Sequence, residues 1–149
     1  FVFFFLNRGS RFSFMKHEMS KNQIEIRLRA YERLMLFLER VEPVGMINRL
    51  ELHDQSIELT ASLLIKNIVI EYEYNTSQQI YVSDRLWKST EFIKNKIINN
   101  ISNISKSIDK EATINDFVSQ LLEQSKEHIL IINQIKKALK KEVHALSKI

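Results

Sequence analysis

The chain has 149 residues, a formal charge of +4, no cysteine, two glycines and one proline. Disulfides and thiolate metal sites are therefore excluded, and a turn-rich sheet protein is disfavoured because turns lean on Gly and Pro. One domain of this length buries about 68–70% of its unfolded surface, and the mild positive charge admits anionic partners without requiring them.

The first six residues, "FVFFFL", are apolar, and Arg8, Arg11, Lys16 and Lys21 follow. At about 1.5 Å per residue six residues reach about 9 Å, too little to cross a hydrocarbon layer of about 30 Å. Basic residues directly after an apolar run are what the cytoplasmic end of a span looks like. Two readings stand side by side: the end of a membrane helix, or a leader ahead of a start at Met15. Residues 1–19 are accordingly separated as an apolar-then-basic stub from a helical domain over 20–149.

"SKNQIEIRLRAYERLMLFLERVEP" predicts the first helix of that domain, capped by Ser20 or Asn22. Ile24, Leu28, Tyr31, Met35 and Leu38 recur at spacings of four and three, the mark of one helical face. Pro43 ends the helix, because the residue before a proline is pushed out of the α region. "VGMINRL" reads as a connector with one helical turn.

The next segment, "HDQSIELTASLLIKNIVIEYEYN", is ambiguous. Ile57, Ala61, Leu64, Ile65, Ile68 and Tyr72 fit a helix. "IVIEYEY" alternates and is β-branched, and with "QIYV" it can form a hairpin. The unbroken spacing from Ile57 favours the helix, since an isolated hairpin is marginal. Whether 67–82 is helical throughout stays open.

Ser83 caps a third helix with Asp84 in its first turn, a favourable place for negative charge. Its stripe is Leu86, Ile93, Ile97, Ile101, Ile104 and Ile108. After the polar break "SKSIDKEAT", a last helix starts at Thr113 or Asn115. Its seam runs Ile114, Val118, Leu121, Ile132, Ile135, Leu139 and Leu146. Ser125 and His128 interrupt that seam and predict a kink or a break. The expected fold is all-α, a single bundle of about four main helices.

Enzyme motifs are missing. A phosphate-cradling loop needs glycines for close backbone approach, and Gly9 and Gly45 are 36 positions apart. The four histidines, at 17, 53, 128 and 144, are scattered. "HEMSK" lacks the second histidine of a zinc-protease helix, and no Glu precedes a His by three, as a di-iron bundle needs. Glu123, Glu127 and His128 come nearest to a ligand set, against the plainer reading of His128 as a partly exposed helix residue. The chain therefore reads as a non-enzymatic protein with no metal and no cofactor.

"EYEYNTSQQIYVSDRLW" is the densest polar-aromatic stretch. Tyr74, Asn75, Gln79, Tyr81 and Trp87 are its candidates for a protein partner, since amphipathic aromatics are enriched at binding hot spots. The plainer reading is a clamp between two helices, with the rings in the core and Asn75, Gln78 and Gln79 satisfying backbone groups at the helix end. Near the C-terminus Lys136, Lys137, Lys140 and Lys141 oppose Ile132, Ile135, Leu139, Val143 and Leu146. They are candidates for an anionic surface or acidic partner, or simply a solvated face. Nucleic acid is the weaker reading, because aromatics do not interleave with these lysines.

"RLRAYERLMLFLERVEP" (27–43) and "EYEYNTSQQIYVSDRLW" (71–87) together resemble a family of small, uncharacterised, membrane-anchored helical proteins of the Bacteroidetes. The likeness lies in Ala30 to Arg40 and Glu73 to Ser83, with Trp87 after them, and spans about 20–110. The resemblance implies an N-terminal membrane helix, of which "FVFFFL" is the stub. It also implies an inner-membrane location with the domain facing the cytoplasm, and a helix over 57–75. It brings no activity with it. The expected function is a membrane-tethered helical interaction or scaffolding module; the alternatives are a cytoplasmic location and a soluble binder of nucleic acid or an acidic partner. Exposed apolar seam positions leave a homo-oligomer open.

Overall fold

The computed structural model describes the backbone of residues 2–146 and the side chains of residues 21–146. The apolar run at the start, Arg8, Arg11, Met15, Lys16 and His17 lie outside the residues whose side chains are described. Among the described residues there are five α-helices, one 3₁₀ turn and no strand. The chain folds as an all-α bundle.

Helix α1 runs Val2–Arg40 without a break at Ser20 or Asn22, where a cap was expected. Once nucleated, a helix gains a hydrogen bond for each residue it adds, and no proline stands upstream to stop it. Its buried face also differs from the predicted stripe. Ala30, Tyr31, Leu34, Phe37, Leu38 and Val41 are inside, whereas Leu28 is exposed and Met35 half-buried. The tyrosine and Leu38 belong to both sets; Leu34 and Phe37 turn the core face away from Leu28.

Pro43 ends α1 and also opens α2, Pro43–Leu50. The "connector" is thus a full helix. Glu42 caps it, its carboxylate accepting the backbone N–H groups of Val44 at 3.0 Å and Gly45 at 2.6 Å. Proline at the first helical position loses nothing, because that N–H has no intrahelical partner. Met46 and Ile47 anchor α2 in the core. The helix stops at Glu51, in the left-handed region at φ 56°, and the Leu52 N–H reaches back to Ile47 O at 3.0 Å.

Helix α3, Ile57–Asn75, takes the segment that had two readings. Ser56 caps it, accepting from the Leu59 N–H at 3.1 Å. Ala61, Leu64 and Ile68 lie inside, while Val69 and Ile70 reach the surface. β-branched residues cost a helix only a few tenths of a kcal/mol each, less than the core contacts a two-stranded hairpin would forfeit. The chain then tightens into a 3₁₀ turn, Thr76–Ile80. Residues 67–80 are therefore helical, α up to Asn75 and 3₁₀ after it, and Tyr81 and Val82 form a non-helical turn ahead of Ser83.

Helix α4, Asp84–Ser107, starts at the expected cap, Ser83 Oγ accepting from the Leu86 N–H at 3.1 Å. Leu86, Ile93, Ile97, Ile101 and Ile104 are buried as the stripe predicted, Trp87 and Thr90 join them, and Ile108, at the C-cap, is only half-buried. Helix α5, Ile114–Leu146, begins at Thr113, whose N–H donates to Asp116 Oδ2 at 2.8 Å while its hydroxyl accepts from the Asp116 N–H at 3.3 Å. That reciprocal capping satisfies two groups the helix end leaves free. The Thr113 donors also hold the Asp116 carboxyl below the usual carboxylate range.

The expected break in α5 does not occur: the helix is continuous through Ser125 and His128, and both are buried. Ser125 Oγ satisfies itself on Leu122 O at 2.7 Å. Helix α5 runs antiparallel to α1, with Tyr31 against Glu142 and Glu39 against Lys136. Burial, then the Glu142 charge and hydrogen bond, push the Tyr31 hydroxyl up to about 12. The α4–α5 interface is the most extensive in the bundle, and α2 packs on α3 and α5.

Among the described residues two buried polar atoms stand without a hydrogen-bond partner, Thr60 Oγ1 and Glu142 Oε2, and the first lies in the core. Thr60 is 0% exposed and its Oγ1 makes no hydrogen bond. An unsatisfied buried hydroxyl costs about 1–3 kcal/mol, so the near-isosteric Thr60→Val is expected to stabilise the domain by about 1 kcal/mol. Urea unfolding would read this as a higher midpoint at unchanged slope. A lower midpoint would mean that the hydroxyl has a partner.

Candidate interaction surface

The α3–α4 corner is built from backbone satisfaction outward. Asn75 is buried, its side-chain amide donating to Glu71 O at 2.7 Å. Gln79 donates to Thr76 O at 2.9 Å, and Thr76 Oγ1 to Glu73 O at 2.8 Å. Gln78, expected to serve the backbone too, instead donates to Ser77 Oγ at 3.1 Å. Arg33 of α1 donates to the Tyr74 carbonyl, and Arg40 pairs with Glu71 at 2.9 Å. The corner is thereby tied to α1.

Three rings connect three helices beneath it. Phe37 of α1 lies 6.3 Å from Tyr72 of α3, centroid to centroid, and Tyr72 stacks on Trp87 of α4 at 5.3 Å. Lys94 Nζ sits 3.9 Å from the Tyr72 centroid, a cation–π contact. Burial and the nearby Glu91 raise the Tyr72 pKa.

The five partner candidates therefore divide. Trp87 and Asn75 are each only 7% exposed and belong to the clamp. Tyr81 is half-buried. Tyr74, at 75%, and Gln79 face outward. Sequence reasoning passed over Ile80, which is 72% exposed at the same corner; its only signal was an apolar residue inside a polar turn.

The four lysines divide as well. Lys136 is spent on Glu39 of α1. Lys137 and Lys141 line a groove between α5 and the start of α4, and Lys140 is exposed outside it. On that groove's other bank stand Arg85, Lys88 and Phe92.

Glu123, Glu127 and His128 do not converge. Glu123 pairs with Lys126 at 3.3 Å and Glu127 with Lys96 at 3.1 Å. His128, for which the sequence predicts partial exposure, is 2% exposed, because the α5 seam passes through it. Burial, then the Lys96 charge, lowers its pKa, while the Glu127 and Glu42 carboxylates oppose the shift. A folded pKa below the unfolded one makes the unfolded chain bind more protons, so stability falls as pH drops through the unfolded value of 6.5 toward the folded one. Thermal midpoints are expected to decline between about pH 7 and pH 5, and His128→Asn to flatten the decline. An equally steep decline in the variant would remove His128 as its cause.

A family model matches residues 4–146, nearly the whole chain. The chain belongs to DUF7935, a family of unknown function. The DUF7935 match runs from inside the apolar opening to the last described residue of α5, so it takes in all five helices. Comparison with curated proteins and with solved structures gave no match. Among the described residues of this DUF7935 chain, no helix is long and apolar enough to cross a membrane, and no three His, Cys, Asp or Glu side chains gather as a metal site.

Proposed function

We propose that this protein is a non-enzymatic helical interaction module, held at the inner face of a membrane by its N-terminal segment. The observation that carries the interaction reading is the α3–α4 corner, where Tyr74 and Ile80 are 75% and 72% exposed on a turn fixed by side-chain hydrogen bonds. Large apolar side chains on a rigid corner can bind without first being ordered, which keeps the entropic cost of association low. The tether is supported by the order of the sequence, six apolar residues followed by Arg8, Arg11, Lys16 and Lys21.

Tyr74→Ser combined with Ile80→Ser should leave the thermal midpoint unchanged, because both side chains are at the surface. The same variant should lose co-migration with a larger assembly when gently solubilised cells are resolved on a native gel. A wild-type chain that migrates alone would contradict the module. Flotation with phosphatidylglycerol vesicles tests the tether: the full chain is expected to float, and the chain lacking residues 1–14 to stay at the bottom. Equal behaviour of the two would remove the tether.

A further inference from the structure

The groove between α4 and α5 has a floor and a rim of different chemistry. Leu86 and Ile135, each nearly fully buried, form its floor, with half-buried Ile131 beside them. Phe92, 56% exposed, stands on the α4 bank. The rim is basic: Arg85 and Lys88 stand three apart on α4, and Lys137 and Lys141 four apart on α5. Among the described residues none of these four cations has a carboxylate within 4.0 Å, although Lys96, Lys126 and Lys136 nearby are all paired. Two acids also line the groove. Asp84 sits in the first turn of α4, and Glu142 is engaged with Tyr31 of α1.

We propose that this groove docks an acidic amphipathic helix of a partner protein. The proposal rests on the interaction-module reading and names its partner's chemistry. From Ile131 to Glu142 the α5 bank is about 16 Å long, or three turns, which suits a helix presenting apolar anchors at i, i+4 and i+7. Those anchors lie on the floor beside Phe92, while carboxylates on both flanks meet the two cationic banks. Lys137 and Lys141 are about 6 Å apart along the axis, the spacing of two acids four apart on the guest helix. A flat bilayer fits less well, because the apolar floor at Leu86 and Ile135 is buried between the two cationic banks rather than projecting from the surface.

The test uses the full chain and a fluorescent synthetic peptide of about 18 residues, with leucines at i, i+4 and i+7 and glutamates on both flanks. Anisotropy should show saturable binding that weakens with salt. The lysine-flanked peptide, and a glutamate peptide with its leucines scrambled, should not bind. Lys137→Glu with Lys141→Glu should weaken binding by about tenfold or more, and Lys126→Glu, outside the groove, should leave it unchanged. Equal binding of the scrambled peptide, or undiminished binding to the double variant, would overturn the proposal. So would phosphatidylglycerol-vesicle binding by the chain lacking residues 1–14 that the double variant abolishes while peptide binding persists, since the rim would then serve lipid. Sedimentation showing a dimer that the double variant dissociates and the peptide cannot compete would assign the groove to a second copy. If the peptide fails while Tyr74 and Ile80 still support the larger assembly, the groove falls and the module stands.

Discussion

Replacing Trp87 by alanine is expected to destabilise the domain by about 3–5 kcal/mol. The indole is 7% exposed and stacks on Tyr72, which in turn meets Phe37, so the three rings join α4, α3 and α1. Truncation would remove the largest of these side chains and leave a cavity bounded by three helices that cannot close independently. It would also release Tyr72, which carries the Lys94 contact. Against the 5–15 kcal/mol usual for a domain, the loss is a large share of total stability. Urea denaturation should show it as a lower midpoint at similar slope, with Trp87→Phe recovering part. A loss below about 1 kcal/mol would mean that the ring is not a core element and would return it to the partner candidates.

A second large effect is expected at Ile97→Asp. Ile97 is 0% exposed in the middle of the α4 stripe. The substitution removes about 2–5 kcal/mol of apolar packing and adds the desolvation of a carboxylate, which is costly unless paired. The sum is comparable to the whole stability of a domain, so the variant should lose its cooperative thermal transition. Phe92→Asp is the control on the same helix. Phe92 is 56% exposed, and its loss should change stability by only a few tenths of a kcal/mol while removing an apolar contact proposed for the guest helix. Cooperative unfolding in Ile97→Asp at a near-native midpoint would contradict the assignment of this α4 face to the core.

Helix existence was legible wherever a cap and a period agreed. Ser83 with the isoleucine stripe, and Thr113 with the later part of the α5 seam, appear as expected, whereas Phe117, Ser125 and His128 join that seam against expectation. Short-range chemistry that needed a partner in space was not legible. Glu42 caps α2 with a carboxylate that only a folded turn brings to Val44 and Gly45. His128 looked exposed because a lone histidine interrupts an apolar pattern, yet the seam carries it inward. The lysines show the same limit: a helical period gives each one an angle but not the neighbour at that angle. Glu39 waits beside Lys136, whereas the bank of α4 stands across from Lys137 and Lys141. The groove joins residues 84–92 with 131–142, two segments at least 39 positions apart, and no local motif announces it.

Site-specific photocrosslinking in living cells tests the central claim most directly. A photoreactive phenylalanine analogue would replace Tyr74, Ile80 or Phe92 in turn, with the exposed α3 residue Glu58 as control. The account predicts discrete adducts of defined mass from the corner and the groove, none from Glu58, and loss of the Phe92 adduct when Lys137 and Lys141 are both changed to Glu. Adducts equally strong from Glu58, or none from any of the three positions, would contradict an interaction module that presents these surfaces.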